Sequence, residues 1–224
     1  MNYTELSARI KAYAENDFPE SAGALTSAQQ IATFVQQAED RIYNSVQLPA
    51  LRKNVTGTLT ANNKYLSCPN DFLSVFSMAV IQADGSYEYL LNKDVNFIRQ
   101  SYPIPTDTGT PKYYSLFGPQ YTLGTELSFI LGPTPNANLG VELHYFFYPE
   151  SIVTAGTSWL GDNYDPILLY GALREAYVYM RGEADMIQNI EAKYREAFEQ
   201  LKRLGDGLER GDAYRDGQAK VKVV

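Results

Sequence analysis

The period of the apolar residues changes twice along the chain, and that double change is the strongest constraint on its fold. Before Pro49, apolar side chains recur at steps of three and four, the spacing of one helix face. From about Lys53 they alternate, as on strands, and after Pro149 the helical period returns. Helices on both sides of a β block pack most economically on one another, with the block inserted as its own layer or domain. The expected fold class is α+β: an antiparallel helical bundle formed by N- and C-terminal helices, with an inserted antiparallel β-rich domain of sandwich or barrel type. The boundaries read as helical 1–52, β-rich 53–150, helical 151–212 and a C-terminal arm 213–224. No internal repeat at a solenoid or propeller period is visible.

The first helix runs from Tyr3 to about Ala14, with Leu6, Ile10 and Tyr13 on one face, and residues 16–23 (NDFPESAG) break it. The second is capped by Thr26 or Ser27, with Gln29 or Gln30 as reciprocal partner. Its stripe is Ile31, Phe34, Val35, Ala38 and Ile42. In the β block, residues 54–67 (NVTGTLTANNKYLS) predict a hairpin turning at Asn62 and Asn63. Residues 72–81 (FLSVFSMAVI) predict a buried strand, joined through Asp84-Gly85 to the partner YEYLL. A short helix is expected in NKDVNFIRQSY, ending at Pro103, and a loop over 106–111. Between Tyr113 and Tyr148 the only charged residues are Glu126 and Glu142, which predicts strands covered on both faces or by a neighbouring subunit.

The helix after residue 158 (SWLGDNYDPILLYGALREAYVYM) is apolar most of the way round. Asp165 reads as its N-cap and Pro166 as N1. Leu169, Leu173, Ala176 and Met180 form one face, widened by Ile167, Leu168, Tyr170, Ala172, Tyr177 and Tyr179. Gly171, Arg174, Glu175, Val178 and Gly182 are left as the exposed strip. A surface helix buries an arc of about 100°, and this one calls for about twice that. It is either the centre of a bundle or shared with another subunit, so Tyr170, Tyr177 and Tyr179 are interface candidates. The last helix carries Ile187, Ile190, Tyr194, Phe198, Leu201, Leu204 and Leu208 in one seam, with Glu191–Arg195 and Glu199–Arg203 as i,i+4 pairs. The closing run Lys220, Val221, Lys222, Val223, Val224 joins no periodic pattern and is a candidate arm for strand addition to a sheet edge.

Composition narrows the function classes. A net charge of −7 argues against binding nucleic acid by neutralising phosphates. Cys68 is the one cysteine, so no internal disulfide forms, and the opening MNYTELSARIKAYAEN lacks a signal peptide's regions. No apolar run approaches the roughly 20 residues that span a bilayer. The expectation is a soluble protein made and kept in a reducing space, with no membrane contact. His144 is the one histidine, on the strand face of Glu142 and Phe146, and reads as a strand residue facing solvent or a neighbour. One His and one Cys cannot make an ordinary zinc site, and Asp162, Asn163 and Asp165 lack the spacing of a calcium loop. No phosphate-cradling motif is present. No catalytic, metal or cofactor-binding residue and no cofactor is therefore expected.

Two patterns carry a family resemblance: LSCPNDFLSVFSMAV (residues 66–80), with Pro-x-Asp-Phe between two strands, and Trp159 followed by Tyr164-Asp165-Pro166 and ILLYGALREAYVYM. Together with the order of elements they resemble the head-to-tail adaptor proteins of short-tailed bacteriophages, also called gateway proteins or tail tubular protein A. The resemblance implies a non-enzymatic virion protein at the head-tail junction, made in the bacterial cytoplasm. It implies a ring of about twelve copies, closed by heterologous contacts, beneath the portal protein and above the tail nozzle protein, with tail fibres nearby in some relatives. Double-stranded DNA would pass through without specific binding, and the acidic composition suits such a wall. Two other classes stay open: a peptidoglycan-degrading hydrolase of a virion, since some relatives are described as lytic, and a carbohydrate-binding module using Tyr113, Tyr114 or Tyr121.

Overall fold

Asn2 and Thr26 start their helices by the same device. The Asn2 side chain accepts from the Glu5 N–H at 2.9 Å while the Glu5 carboxylate accepts from the Asn2 N–H. Thr26 and Gln29 repeat the exchange, so orphan donors at both helix starts are satisfied from within. The structure, a computed structural model, describes residues 1–20, 25–104, 106–118 and 127–209. In chain order its elements are α1 (Tyr3–Ala14), α2 (Ser27–Ser45), β1 (Arg52–Thr58), β2 (Tyr65–Ser67), β3 (Phe72–Ile81), β4 (Tyr87–Tyr89), β5 (Leu91–Asn92), α3 (Val95–Ser101) and β6 (Thr108–Gly109). Then follow β7 (Tyr113–Phe117), β8 (Ser128–Gly132), β9 (Thr134–Pro135), β10 (Gly140–Phe147), α4 (Ile152–Ala155), α5 (Trp159–Asn163), α6 (Asp165–Tyr179) and α7 (Ala184–Glu209). The fold class is α+β. The chain divides into two compact units, one built from residues 1–50 with the chain from Pro149, the other from Leu51–Tyr148.

In the helical unit, α6 packs against α1, α2 and α7. Ile167, Leu168, Leu169, Ala172, Leu173 and Ala176 are all buried, facing Leu6 and Ile10 of α1, the α2 stripe, and Ile190, Tyr194 and Leu201 of α7. Its wide apolar arc is therefore consumed largely inside the bundle. Gly171 does not belong to an exposed strip: it is buried, and a Cβ there would lie 3.0 Å from the Ala38 Cβ and 3.4 Å from the Tyr194 ring. Close helix approach, invisible in hydropathy, explains the difference. Arg174 and Glu175 are ion-paired, to Glu191 and Arg41, each at 2.6 Å. Val178 is exposed as expected.

Asp165 is not the N-cap. Tyr164 holds that position without a side-chain hydrogen bond, because its backbone also ends α5, and Asp165 enters the first turn. There its carboxylate meets Arg9 of α1 at 3.5 Å and the helix dipole at once. The seam of α7 holds through Leu201, but Leu204 and Leu208 are 38% and 53% exposed. Glu199 pairs with Lys202 at 3.4 Å, one step closer than the Arg203 expected.

In the β unit, one sheet has the order β1-β10-β3-β4 and a second the order β2-β8-β7-β5. Side chains of both, among them Met78, Val80, Leu143, Phe129 and Leu131, share one core, the packing of a sandwich. Residues 54–67 are not a hairpin. Asn62 does turn the chain at φ 63°, but β1 pairs with β10 and β2 with β8, so the turn passes between sheets. The Asp84-Gly85 hairpin joins β3 and β4 as expected, with Gly85 at φ 83°. The first half of β3 is less buried than its sequence suggests, and Phe76 is 52% exposed. Two pairings depart from the antiparallel expectation: β5 with β7, which α3 separates in sequence, and β6 with β9. The crossover through α3 brings β5 and β7 together as parallel neighbours, whereas β6 reaches β9 by way of β7 and β8. All five residues of β8 are buried, which accounts for its lack of charge.

Candidate functional site

Both motifs that carry the resemblance act as fasteners. Asp71, in the turn that opens β3, accepts from Tyr145 Oη at 2.8 Å and from Lys53 Nζ at 2.5 Å. Its backbone carbonyl accepts from the Tyr148 N–H at 2.8 Å. One residue thereby joins β1, β3 and β10. Burial alone would raise the Asp71 carboxyl, but the Lys53 and Tyr145 hydrogen bonds and the Lys53 charge outweigh it and hold it below its usual range. Phe72 packs edge-on against Phe129 and stacks on Tyr145. In the second motif, Ser158 caps α5 through the Gly161 N–H at 3.1 Å, and Tyr164 Oη donates to Gln200 of α7 at 2.7 Å.

Glu39 has the most unusual setting of the described carboxylates, and the sequence reading passed it over. It is 2% exposed, accepting from Ser151 Oγ at 2.6 Å and from the Ile152 N–H at 2.9 Å. Burial raises its carboxyl, while those two hydrogen bonds pull it partway back. The available signal was its spacing: Glu39 lies four residues after Val35 and three before Ile42, on the apolar stripe. Sealed and committed to the start of α4, it has no access to a substrate.

His144 Nε2 lies 3.5 Å from Glu142 on the strand face expected for it. Among the described residues no group of three or more His, Cys, Asp or Glu is placed to hold a metal ion. Tyr114 is buried in the sandwich and Tyr113 lies against the rings of Phe97 and Tyr102. Tyr114 is thereby closed to glycan stacking, Tyr113 is half-buried, and Tyr121 lies outside the described residues.

An apolar groove of about 230 Å³ is open in the helical unit, between α1, α6 and α7. Tyr13, Tyr170, Leu173, Tyr177, Met186 and Ile190 line it, with Asn189 and Lys193 at its polar end. Tyr177 Oη donates to the Tyr13 carbonyl at 3.2 Å. The structure thus brings two interface candidates, Tyr170 and Tyr177, to one groove. Tyr179 is elsewhere: it is 56% exposed, with its ring 5.3 Å from Phe34 of α2. Lys220, Val221, Lys222, Val223 and Val224 lie outside the described residues. Among the described residues no helix is long and apolar enough to cross a membrane.

Comparison with curated proteins finds no match to the chain. A family model described as SU10 adaptor protein matches residues 1–221. That span takes in both fastening motifs, the inserted sandwich and the helices on either side of it, and the chain belongs to this family of bacteriophage adaptor proteins.

Proposed function

We propose that this chain is the head-to-tail adaptor subunit of a short-tailed bacteriophage virion. About twelve copies form a ring by heterologous contacts. The ring sits between the portal protein and the tail nozzle protein, close to tail fibres where these exist, and encloses the channel through which double-stranded DNA leaves. The observation that carries this reading is the groove of Tyr170 and Tyr177. An apolar, tyrosine-lined surface left open beside an otherwise consumed helix matches the composition of subunit contacts. A neighbouring copy fills the groove with a different face of its own. The net charge of −7 suits a wall that DNA slides past. Residues Lys220 to Val224 serve as an arm to an adjacent protein.

Electron microscopy of the purified chain with purified portal rings tests the reading. Rings stacked on the portal are expected, and Tyr177→Asp should reduce them while the circular-dichroism spectrum stays native. A chain that never associates with portal rings at high concentration would sink the proposal, whereas a monomer in isolation fits a subunit that assembles on a template.

A further inference from the structure

A cavity of about 330 Å³ opens within the β unit, between the end of α3, strand β8, the start of β9 and Lys64 just before β2. Ile98, Arg99 and Tyr102 form one wall, and Lys64, Ile130 and Leu131 the other. We infer that it binds an acidic peptide segment of a partner protein, with an apolar side chain in the cavity and carboxylates on Lys64 and Arg99.

Three features of the cavity select that occupant. The aliphatic part of both walls belongs to the core, since Ile98, Ile130 and Leu131 are each 3% exposed or less. The recess is at the small end of the range for ligand pockets, with room for one large aliphatic or aromatic side chain. Each wall also contributes one cation, and among the described residues neither Lys64 nor Arg99 pairs with an acid. Each lies over a ring face instead, Lys64 over Tyr65 at 5.4 Å and Arg99 over Phe117 at 5.8 Å. By contrast Lys53, in the same unit, finds Asp71. Two cations that face one recess with no described acid beside them favour a negative guest and repel a basic one. Finally, apolar surface continues beyond the mouth: Ile104 is 54% and Phe117 43% exposed. A small metabolite would leave that surface uncovered, while an extended chain would cover it. Nucleic acid is disfavoured because a phosphate backbone needs a track of cations rather than two around an apolar recess.

The inference concerns the β unit alone and does not depend on the ring contact, whose test reads the helical unit. The probe is a synthetic labelled peptide of about eight residues, alternating Glu with Leu and Phe. Fluorescence anisotropy should show saturable binding, weakened about tenfold or more by Lys64→Gln combined with Arg99→Gln. The same loss is expected when Ala replaces the apolar residues of the peptide. Methyl resonances of Ile98, Ile130 and Leu131 should shift on titration, and those of Ile10 and Leu201 in the helical unit should not. Thermal melting of the double variant should be unchanged, since both side chains reach the surface. Equal affinity for a peptide with Lys in place of Glu, equal affinity for single-stranded DNA, or binding that leaves the Ile98 and Ile130 methyls unmoved would each overturn the inference.

Discussion

The hydroxyl of Tyr145 donates a 2.8 Å hydrogen bond to the carboxylate of Asp71, 74 residues earlier in the chain. Asp71 answers by holding Lys53 on its other oxygen, so a turn residue fixes three strands of one sheet together. The Tyr145 hydroxyl is pushed up to about 12, first by burial and then by the adjacent carboxylate, so it stays a donor across the working range.

Asp71→Asn should therefore destabilise the chain by about 1–3 kcal/mol near neutral pH, through a lost ion pair and a weakened acceptor. The sign of its pH dependence follows from the lowered folded value. A depressed carboxyl contributes stability above its unfolded value and loses it as pH falls through the folded one. Urea unfolding of both proteins should show the gap narrowing from about pH 4 downward. A gap that stays constant into acid would contradict this role for Asp71.

Glu39 has the opposite sign. Its raised carboxyl contributes stability below the unfolded value, lost as pH rises through the folded value, because the buried site favours the neutral form. Glu39→Gln keeps an acceptor for the Ile152 N–H and removes the charge. It should match the parent at about pH 4 and equal or exceed it above about pH 6. Glu39→Ala abandons the buried N–H and should cost about 2–4 kcal/mol at either pH. Thermal melts across that range separate the two effects.

How much of this was legible beforehand can be traced residue by residue. Helix starts at Asn2 and Thr26, the Asp84-Gly85 hairpin and the burial of α6 depend on local chemistry or periodicity, and α1, α2 and α6 follow their sequence closely. The partner of β1 depends on chain returning some 90 residues later, and no local pattern reports that β10 rather than β2 receives it. Asp165 was misplaced by one position because two helices share Tyr164 as a hinge. The groove was half visible, since spacing marked Tyr170 and Tyr177 as surplus apolar surface but also marked Tyr179, which turns to Phe34. Glu39 was readable as a misfit and the cavity beside Lys64 was not, because a recess is a property of packed walls.

Gly171 offers a test of the bundle. In an exposed helix, Gly→Ala gains about 0.5–1 kcal/mol. Here the new Cβ meets Ala38 at 3.0 Å, so Gly171→Ala should lose that gain and Gly171→Val should cost about 1–3 kcal/mol. Ala38→Gly combined with Gly171→Ala should recover much of the loss, a coupling that a double-mutant cycle measures directly.

Cys68 should be silent to thiol reagents in the folded chain. It is 5% exposed, and burial pushes its thiol up to about 12, which leaves little thiolate near neutral pH. Labelling should therefore track unfolding: slow without denaturant and rapid beyond the midpoint. Fast labelling of the native protein would show that the sandwich opens locally.

The grip of Glu39 on Ser151 and Ile152 also bears on how such a chain can diversify. The residues that return to the helical unit are clamped within two turns of the end of α2, about 9 Å along its axis. The bundle therefore closes on its own, over a gap that a few residues of linker would bridge at small entropic cost. The β unit, Leu51–Tyr148, is in that sense a cassette. Lineages could exchange or rebuild that cassette to suit new neighbours while inheriting the bundle unaltered, and a transplanted β unit needs only two ends that meet the spacing Glu39 sets.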